Sequence, residues 1–224
     1  MRAEVVVFDL DDTLYEELTY VHSGFRAVAS FLAENYEQAD AEDAYRFMVT
    51  EEKRSGRGRV FDRLLERYGI GTQARVRQCV QAYRTHTPHI RLYPDARRAL
   101  EALADRSLYI VTDGHARVQE MKLRALGLDQ ERKIRRCWVT RRYGLHNEKP
   151  SPYCFQRICE MERVEPQRVV YVGDNPNKDF VGIKPLGYRT VRILRGAYAS
   201  VRLTEDYEAD HTVLSLDELP VLLG

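Results

Sequence analysis

The sequence is short of several things, and each shortage argues against a class of function. Only four cysteines are present, Cys79, Cys137, Cys154 and Cys159, and no two form a C-x-x-C pair. That pattern speaks against a disulfide framework or a zinc site and fits reduced, packed thiols. No apolar run approaches the roughly 18 residues that a membrane span requires, so no membrane role is expected. Neither sign of charge dominates, with 35 basic against 34 acidic residues, and the chain has no overall field for holding nucleic acid. Lysine is scarce, at six residues, an arginine bias that genome composition explains as readily as phosphate chemistry does. Met1-Arg2-Ala3-Glu4 runs straight into an apolar stretch, leaving no room for an export signal, so a cytoplasmic location is expected. Internal repeats and low-complexity segments are missing too.

What is there begins at Val5-Val6-Val7-Phe8, four apolar residues that read as a strand buried on both faces, ending at Asp9-Leu10-Asp11-Asp12. Helical periodicity then takes over for some seventy-five residues. Phe25, Val28, Ala29 and Leu32 predict a helix over 19–36, and Ala44, Phe47 and Met48 one over 40–53. Val60, Phe61, Leu64 and Leu65 mark a third, and Val76, Cys79, Val80 and Tyr83 a fourth over 72–86. From about residue 90 the texture changes. Leu108–Val111, Cys137–Thr140, Val169–Val172, Thr190–Ile193 and His211–Val213 read as strands, and they alternate with helices at 94–103, 115–126, after Pro150, 177–186 and 215–223. That alternation predicts an α/β fold, a Rossmann-like parallel sheet with helices on both faces. The expected organisation is a core of residues 1–14 and 90–224 carrying a helical-bundle insert at 15–89.

Three of the strands deliver polar residues at their ends: Asp9 and Asp11, then Thr112-Asp113-Gly114, then Gly173-Asp174. If those strands are parallel neighbours, the groups converge on one crevice at the carboxyl edge of the sheet. Crowded carboxylates repel, and a hard divalent cation bound through oxygen relieves them. Magnesium fits, because it takes one or two carboxylates, keeps several waters and leaves positions for a phosphate oxygen.

Asp9-x-Asp11-x-Thr13 after a strand, Thr112 closing a second, Lys149-Pro150 before a helix, and Gly173-Asp174 with Asp179 after a third resemble the four motifs of the haloacid-dehalogenase-like hydrolase superfamily. The motifs occur in order and span the core, and the insert resembles that superfamily's helical cap of the first type. Among its members the pattern is similar to small-metabolite phosphatases such as N-acylneuraminate-9-phosphatase and related nucleotidases. The resemblance implies a magnesium-dependent phosphatase that cleaves a small phosphorylated metabolite, a sugar phosphate or nucleoside monophosphate, through an aspartyl-phosphate. Asp9 is then the nucleophile and Asp11 the proton carrier. Thr112 and the amides of Asp113 and Gly114 bind phosphate oxygens, while Lys149 offsets charge. Metal is held by Asp9, the backbone carbonyl of Asp11 and Asp174, with Asp179 in support through water or by orienting Lys149.

Asp12 is expected to be exposed or to cap a helix. In the insert, Lys53-Arg54-Ser55-Gly56-Arg57-Gly58-Arg59 places Arg54, Arg57 and Arg59 where the resemblance puts a specificity loop. Three arginines there suit a second anionic group on the substrate. A phosphomutase would share the core residues, and a protein that only senses or scaffolds phosphate would keep the site without turnover. A haloacid dehalogenase fits less well, since displacing halide needs no acid such as Asp11. Assembly as a monomer or a homodimer is equally compatible with the sequence.

Overall fold

The computed structural model describes residues 3–224. They divide into two compact units, residues 3–17 with Arg91–Gly224, and Leu18–Ile90. In the first unit β1 (Val5–Phe8), β2 (Ser107–Thr112), β3 (Ile134–Val139), β4 (Val169–Gly173), β5 (Arg189–Ile193) and β6 (His211–Val213) form one sheet in the order β3-β2-β1-β4-β5-β6. Every neighbouring pair is parallel. The chain leaves β1 toward β2 and β3 and later resumes at β4 on the other flank. Between β1 and β4, therefore, the strand order reverses, and in open parallel sheets such a reversal leaves a crevice at the carboxyl edge.

Uninterrupted apolar strands follow from burial on both faces. Val5, Val7, Tyr109, Val111, Val169 and Tyr171 pack on one face against Cys154, Phe155 and Ile158 of helix α7 (Tyr153–Glu162), taking helices in chain order. Alternation turns Val6, Phe8, Leu108, Ile110, Val170 and Val172 to the opposite face, and these are equally inaccessible. α5 (Pro94–Ala102), α6 (Ala116–Ala125) and α8 (Leu219–Leu223) complete the helices of this unit. Asp95 ties α5 to the carboxyl-terminal segment by accepting the N–H of Leu216 at 2.9 Å.

The second unit is a bundle of α1, which starts at Glu17 and runs to Asn35, α2 (Ala41–Ser55), α3 (Val60–Arg67) and α4 (Gln73–Thr85). Its core of Val21, Phe25, Val28, Leu32, Ala44, Met48, Leu64, Leu65 and Cys79 follows the helical period. Asp40 caps α2 by accepting the N–H of Asp43, and Thr72 caps α4 by accepting that of Arg75. The segments of the first unit that flank this bundle pair with one another: Tyr93 donates its N–H to Leu14 at 2.9 Å, and Tyr15 bridges Leu92.

One expected helix does not form. Residues 177–183 run through turns and bends, with a single 3₁₀ turn at Lys184–Leu186. Asn175 Oδ1 accepts from Asn177 N at 3.0 Å and Asp179 Oδ2 from Asn175 N at 2.9 Å, which folds the start of the segment into a turn, and Pro185 has no N–H to give a helix. A Cβ at Gly182 would lie 1.7 Å from the carbonyl oxygen of Pro150, so the two segments meet backbone to backbone. Gly182→Ala is expected to lower stability in urea unfolding by about 1–3 kcal/mol. Gly58→Ala, where a Cβ meets nothing within 4 Å, should change it by less than about 0.5 kcal/mol.

Candidate active site

The carboxyl ends of β1, β2 and β4 lie side by side, with Phe8 in register with Ile110 and with Val172. Beyond them opens a cleft of about 420 Å³, lined among others by Asp9, Asp11, Thr112, Asp113, Lys149 and Asp174. Asp9 extends the ladder by donating its N–H to Val172 at 2.8 Å, which fixes where its carboxylate emerges. Lys149 Nζ donates to Asp9 Oδ1 at 2.5 Å and to Tyr171 Oη at 2.8 Å, and forms an ion pair with Asp179 Oδ1 at 2.8 Å. Asp179 thus has one oxygen on Lys149 and the other on the Asn175 amide. It stands as a brace for the lysine, whereas Asp174 pairs with no ammonium or guanidinium group among the described residues.

Asp11 occupies a cradle of its own. Its Oδ1 accepts from Lys122 Nζ at 2.7 Å and from the Tyr15 hydroxyl, and its Oδ2 from Gln119 Nε2 at 2.8 Å. The same Gln119 nitrogen donates to Thr112 Oγ1 at 2.6 Å. Asp113 turns its carboxylate into the scaffold, accepting from Thr140 Oγ1 at 2.7 Å, Lys149 N at 3.1 Å and Lys178 Nζ at 2.7 Å. Gly114 adopts φ 119°, a conformation suited to glycine, and its N–H points to Glu148 Oε1 at 3.3 Å. Glu148 also receives Arg141 Nε at 2.9 Å. Asp12 is buried, not exposed, and accepts the N–H of Glu17 at 2.8 Å and of Ala197 at 3.2 Å, one of them opening α1. Gly196 faces it so closely that a Cβ there would stand 2.2 Å from Asp12 Cγ.

In the insert, Arg54 Nη2 meets the buried Glu51 at 2.6 Å, and Arg63 and Ser55 complete that cluster. Arg57 and Arg59 lie 3.8 and 3.4 Å from Glu52 and Glu66. Arg54 is therefore committed to a structural ion pair, and the other two pair with acidic residues of the insert as well.

Sequence reasoning passed over Tyr15, Gln119, Lys122, Thr140, Glu148, Tyr171 and Lys178. The available signal was weak: a lysine or glutamine on a helix reads as solvent-facing unless something shows which side of the helix is buried.

Charge at the cleft is out of balance. Five carboxylates, Asp9, Asp11, Asp113, Asp174 and Asp179, face three ammonium groups, Lys122, Lys149 and Lys178. Burial pushes the Asp9 carboxyl up to about 7, since nearby Asp179 and Asp11 counter the help of Lys149 and Lys178. For Asp174 burial, with Asp9 and Asp179 close by, raises it further, to about 9. Burial also works against Asp11 and Asp113, but the lysines and hydrogen bonds around them outweigh it and hold both below the usual carboxylate range. Lys149 stays firmly charged: burial opposes the charge, and Asp179 and Asp9 more than restore it. Asp12, Glu17 and Glu148 line the same cleft against one further cation, Arg141, so acid is in excess throughout, a repulsion that a divalent cation relieves. The donors are all oxygen, and among the described residues no group of three or more His, Cys, Asp or Glu side chains is placed to hold a metal ion by itself. Such a site suits magnesium, which takes few carboxylates and retains water.

A reversed parallel sheet with an acid-rich, lysine-braced cleft at its switch point defines a Rossmann-like enzyme core. The sequence profile of haloacid dehalogenase-like hydrolases matches residues 3–187, and the chain belongs to that family. It is 32% identical over 211 residues to the glyceraldehyde 3-phosphate phosphatase of Methanopyrus kandleri, covering 91% of this chain and 89% of the relative. Among solved structures it superposes on the HAD-hydrolase YfnB of Bacillus subtilis bound to magnesium with a TM-score of 0.71, at 19% identity and 100% coverage of both chains. A HAD phosphatase from Thermococcus onnurineus gives a TM-score of 0.62 at 25% identity, over 100% of this chain and 98% of that one. No helix of the described residues is long and apolar enough to cross a membrane.

The raised carboxyls make a stability prediction. Asp9 and Asp174 have folded-state values above their unfolded ones of about 4, so from about pH 4 to about 9 the folded state holds more protons than the unfolded state. Stability carried by these groups is present at low pH and lost as pH rises. Without divalent cation, the thermal midpoint should fall between about pH 5 and about pH 9, and Asp174→Asn should flatten that fall. A midpoint that climbs over the range, or an unchanged slope in the variant, would contradict the charge balance above.

Proposed function

We propose that the protein is a magnesium-dependent phosphatase that hydrolyses a small phosphate monoester by way of an aspartyl-phosphate. The observation that carries this reading is the pairing of a cation-deficient carboxylate site at Asp9 and Asp174 with a lysine braced on the same Asp9. In the first displacement an Asp9 oxygen attacks phosphorus while the bond to the leaving oxygen breaks, and Asp11 supplies the proton that oxygen needs. In the second, water attacks phosphorus, gives its proton back to Asp11, and breaks the bond to Asp9 to release inorganic phosphate. At rest Asp11 is ionised in its cradle of donors. An arriving phosphate dianion raises its proton affinity by like-charge repulsion, loading it for the first step.

Asp9, the backbone carbonyl of Asp11 and Asp174 would hold magnesium, and Asp179 serves by holding Lys149. Bound there, magnesium neutralises charge on the phosphoryl oxygens. Thr112, the amide of Asp113 and, in exchange for its contact with Glu148, the amide of Gly114 bind those oxygens, and Lys149 offsets charge on nucleophile and phosphoryl group alike. Since the Asp113 side chain is taken up by Thr140 and Lys178, its contribution is the backbone amide.

For the substrate we favour a short sugar or polyol phosphate over a nucleotide. The relative from Methanopyrus kandleri is a glyceraldehyde 3-phosphate phosphatase, and in the core cleft Arg141 is neutralised by Glu148. A leaving group without a second negative charge matches that pairing.

Asp9→Asn should cut phosphate release from p-nitrophenyl phosphate by roughly three orders of magnitude or more while the far-ultraviolet circular dichroism stays unchanged. An active variant would reject Asp9 as nucleophile. In the wild-type protein, chelation should abolish turnover, magnesium should restore it, and one inorganic phosphate should appear per ester consumed. A sugar phosphate isomer in place of phosphate would identify a mutase.

A further inference from the structure

Helix α6 turns polar side chains, not apolar ones, toward the floor of the cleft: Gln119 is 2% exposed and Lys122 3%. Buried polar groups stabilise less than apolar side chains of the same volume, so their partners decide what they are for. Gln119 Nε2 donates to Thr112 Oγ1 at 2.6 Å and to Asp11 Oδ2 at 2.8 Å. An ionised carboxylate only accepts, so the amide presents its N–H groups here, and the threonine oxygen accepts as well. That leaves the threonine's own proton. No described residue accepts from this hydroxyl, and Thr112 lines the cleft. Without the amide, Asp11 Oδ2 would compete for that proton, because a carboxylate is a stronger acceptor than any neutral group nearby. Lys122 and Tyr15 meanwhile anchor the opposite oxygen, Oδ1, so Asp11 cannot turn away.

We propose that Gln119 is a positioning residue for phosphate binding: by occupying Thr112 Oγ1 and Asp11 Oδ2 together, it aims the threonine hydroxyl proton at the phosphate and stops it from bonding to Asp11. The inference rests on Thr112 being a phosphate ligand, as set out above. The bland rival is packing. A Cβ at Gly114 would lie 3.4 Å from Gln119 Cδ, so the side chain also fills space beneath that turn. Gln119→Met separates the two, since methionine keeps the length and volume of glutamine and donates nothing.

The experiment is competitive inhibition of the magnesium-loaded enzyme by orthophosphate, in wild type, Q119M, T112V and the double variant. A misdirected hydrogen bond to a charged group costs about tenfold or more in affinity, so Ki should rise by at least that factor in Q119M. In the T112V background, adding Q119M should change Ki less than about twofold, because no hydroxyl remains to aim. A wild-type Ki in Q119M would establish packing and overturn the proposal, and so would fold-changes that multiply in the double variant. A wild-type Ki in T112V would instead remove Thr112 as phosphate ligand, and the proposal with it. Q119L, likewise without a donor, takes the place of Q119M in the same cycle should the methionine variant lack a cooperative thermal transition.

Discussion

Lys149 Nζ reaches Asp9 and Asp179 from a side chain 1% exposed, and its contact with Asp9 spans 140 residues of sequence. An ammonium group buried to that degree is tolerated only where anions and hydrogen-bond acceptors surround it. Its partners are supplied by the end of β1, by Tyr171 within β4 and by the turn after β4, so those parts must be in register before the lysine can be buried. The dependence runs both ways. Taking out the lysine would leave two buried carboxylates, Asp9 and Asp179, without their cation, far costlier than the loss of a contact. Sheet and site are therefore held by a single electrostatic constraint, and the negative charge that Lys149 cannot match is the feature on which the proposed divalent cation depends.

How much of this was legible in the sequence follows from which forces leave local traces. Val5–Phe8, Leu108–Val111 and Val169–Val172 are unbroken apolar runs because both faces of their strands are covered, and that pattern needs no partner to be read. The acids that end these runs are legible for the same reason, as polar residues at the edge of buried ones. Gln119 and Lys122 leave no such trace. Their helix buries Gln119, Lys122 and Leu123, so two of its three inward positions are polar, and periodicity alone points them to water. The segment at 177–186 misled in the opposite way: a helix read across it meets Pro185, which has no N–H for the ladder, and Gly182, whose backbone presses on Pro150.

The division between chemistry and choice of substrate runs along the same line. The core residues proposed to handle phosphorus are tied to strand ends and to one another. The arginines of the insert answer to their own neighbours, and Arg54, the most engaged of them, is needed to neutralise Glu51 inside the bundle. A family that keeps one set rigid can vary the other with little loss of fold, consistent with relatives that share the architecture at 19–32% identity.

Leu14 and Tyr15, where the chain leaves the sheet, are bonded to Tyr93 and Leu92, where it comes back. The whole four-helix excursion is thus closed at its neck, as a stem closes a loop in folded RNA. A segment joined in this manner is a cassette: its length and internal sequence can change, or the segment can be exchanged wholesale, and β1 still meets β2 at the same register.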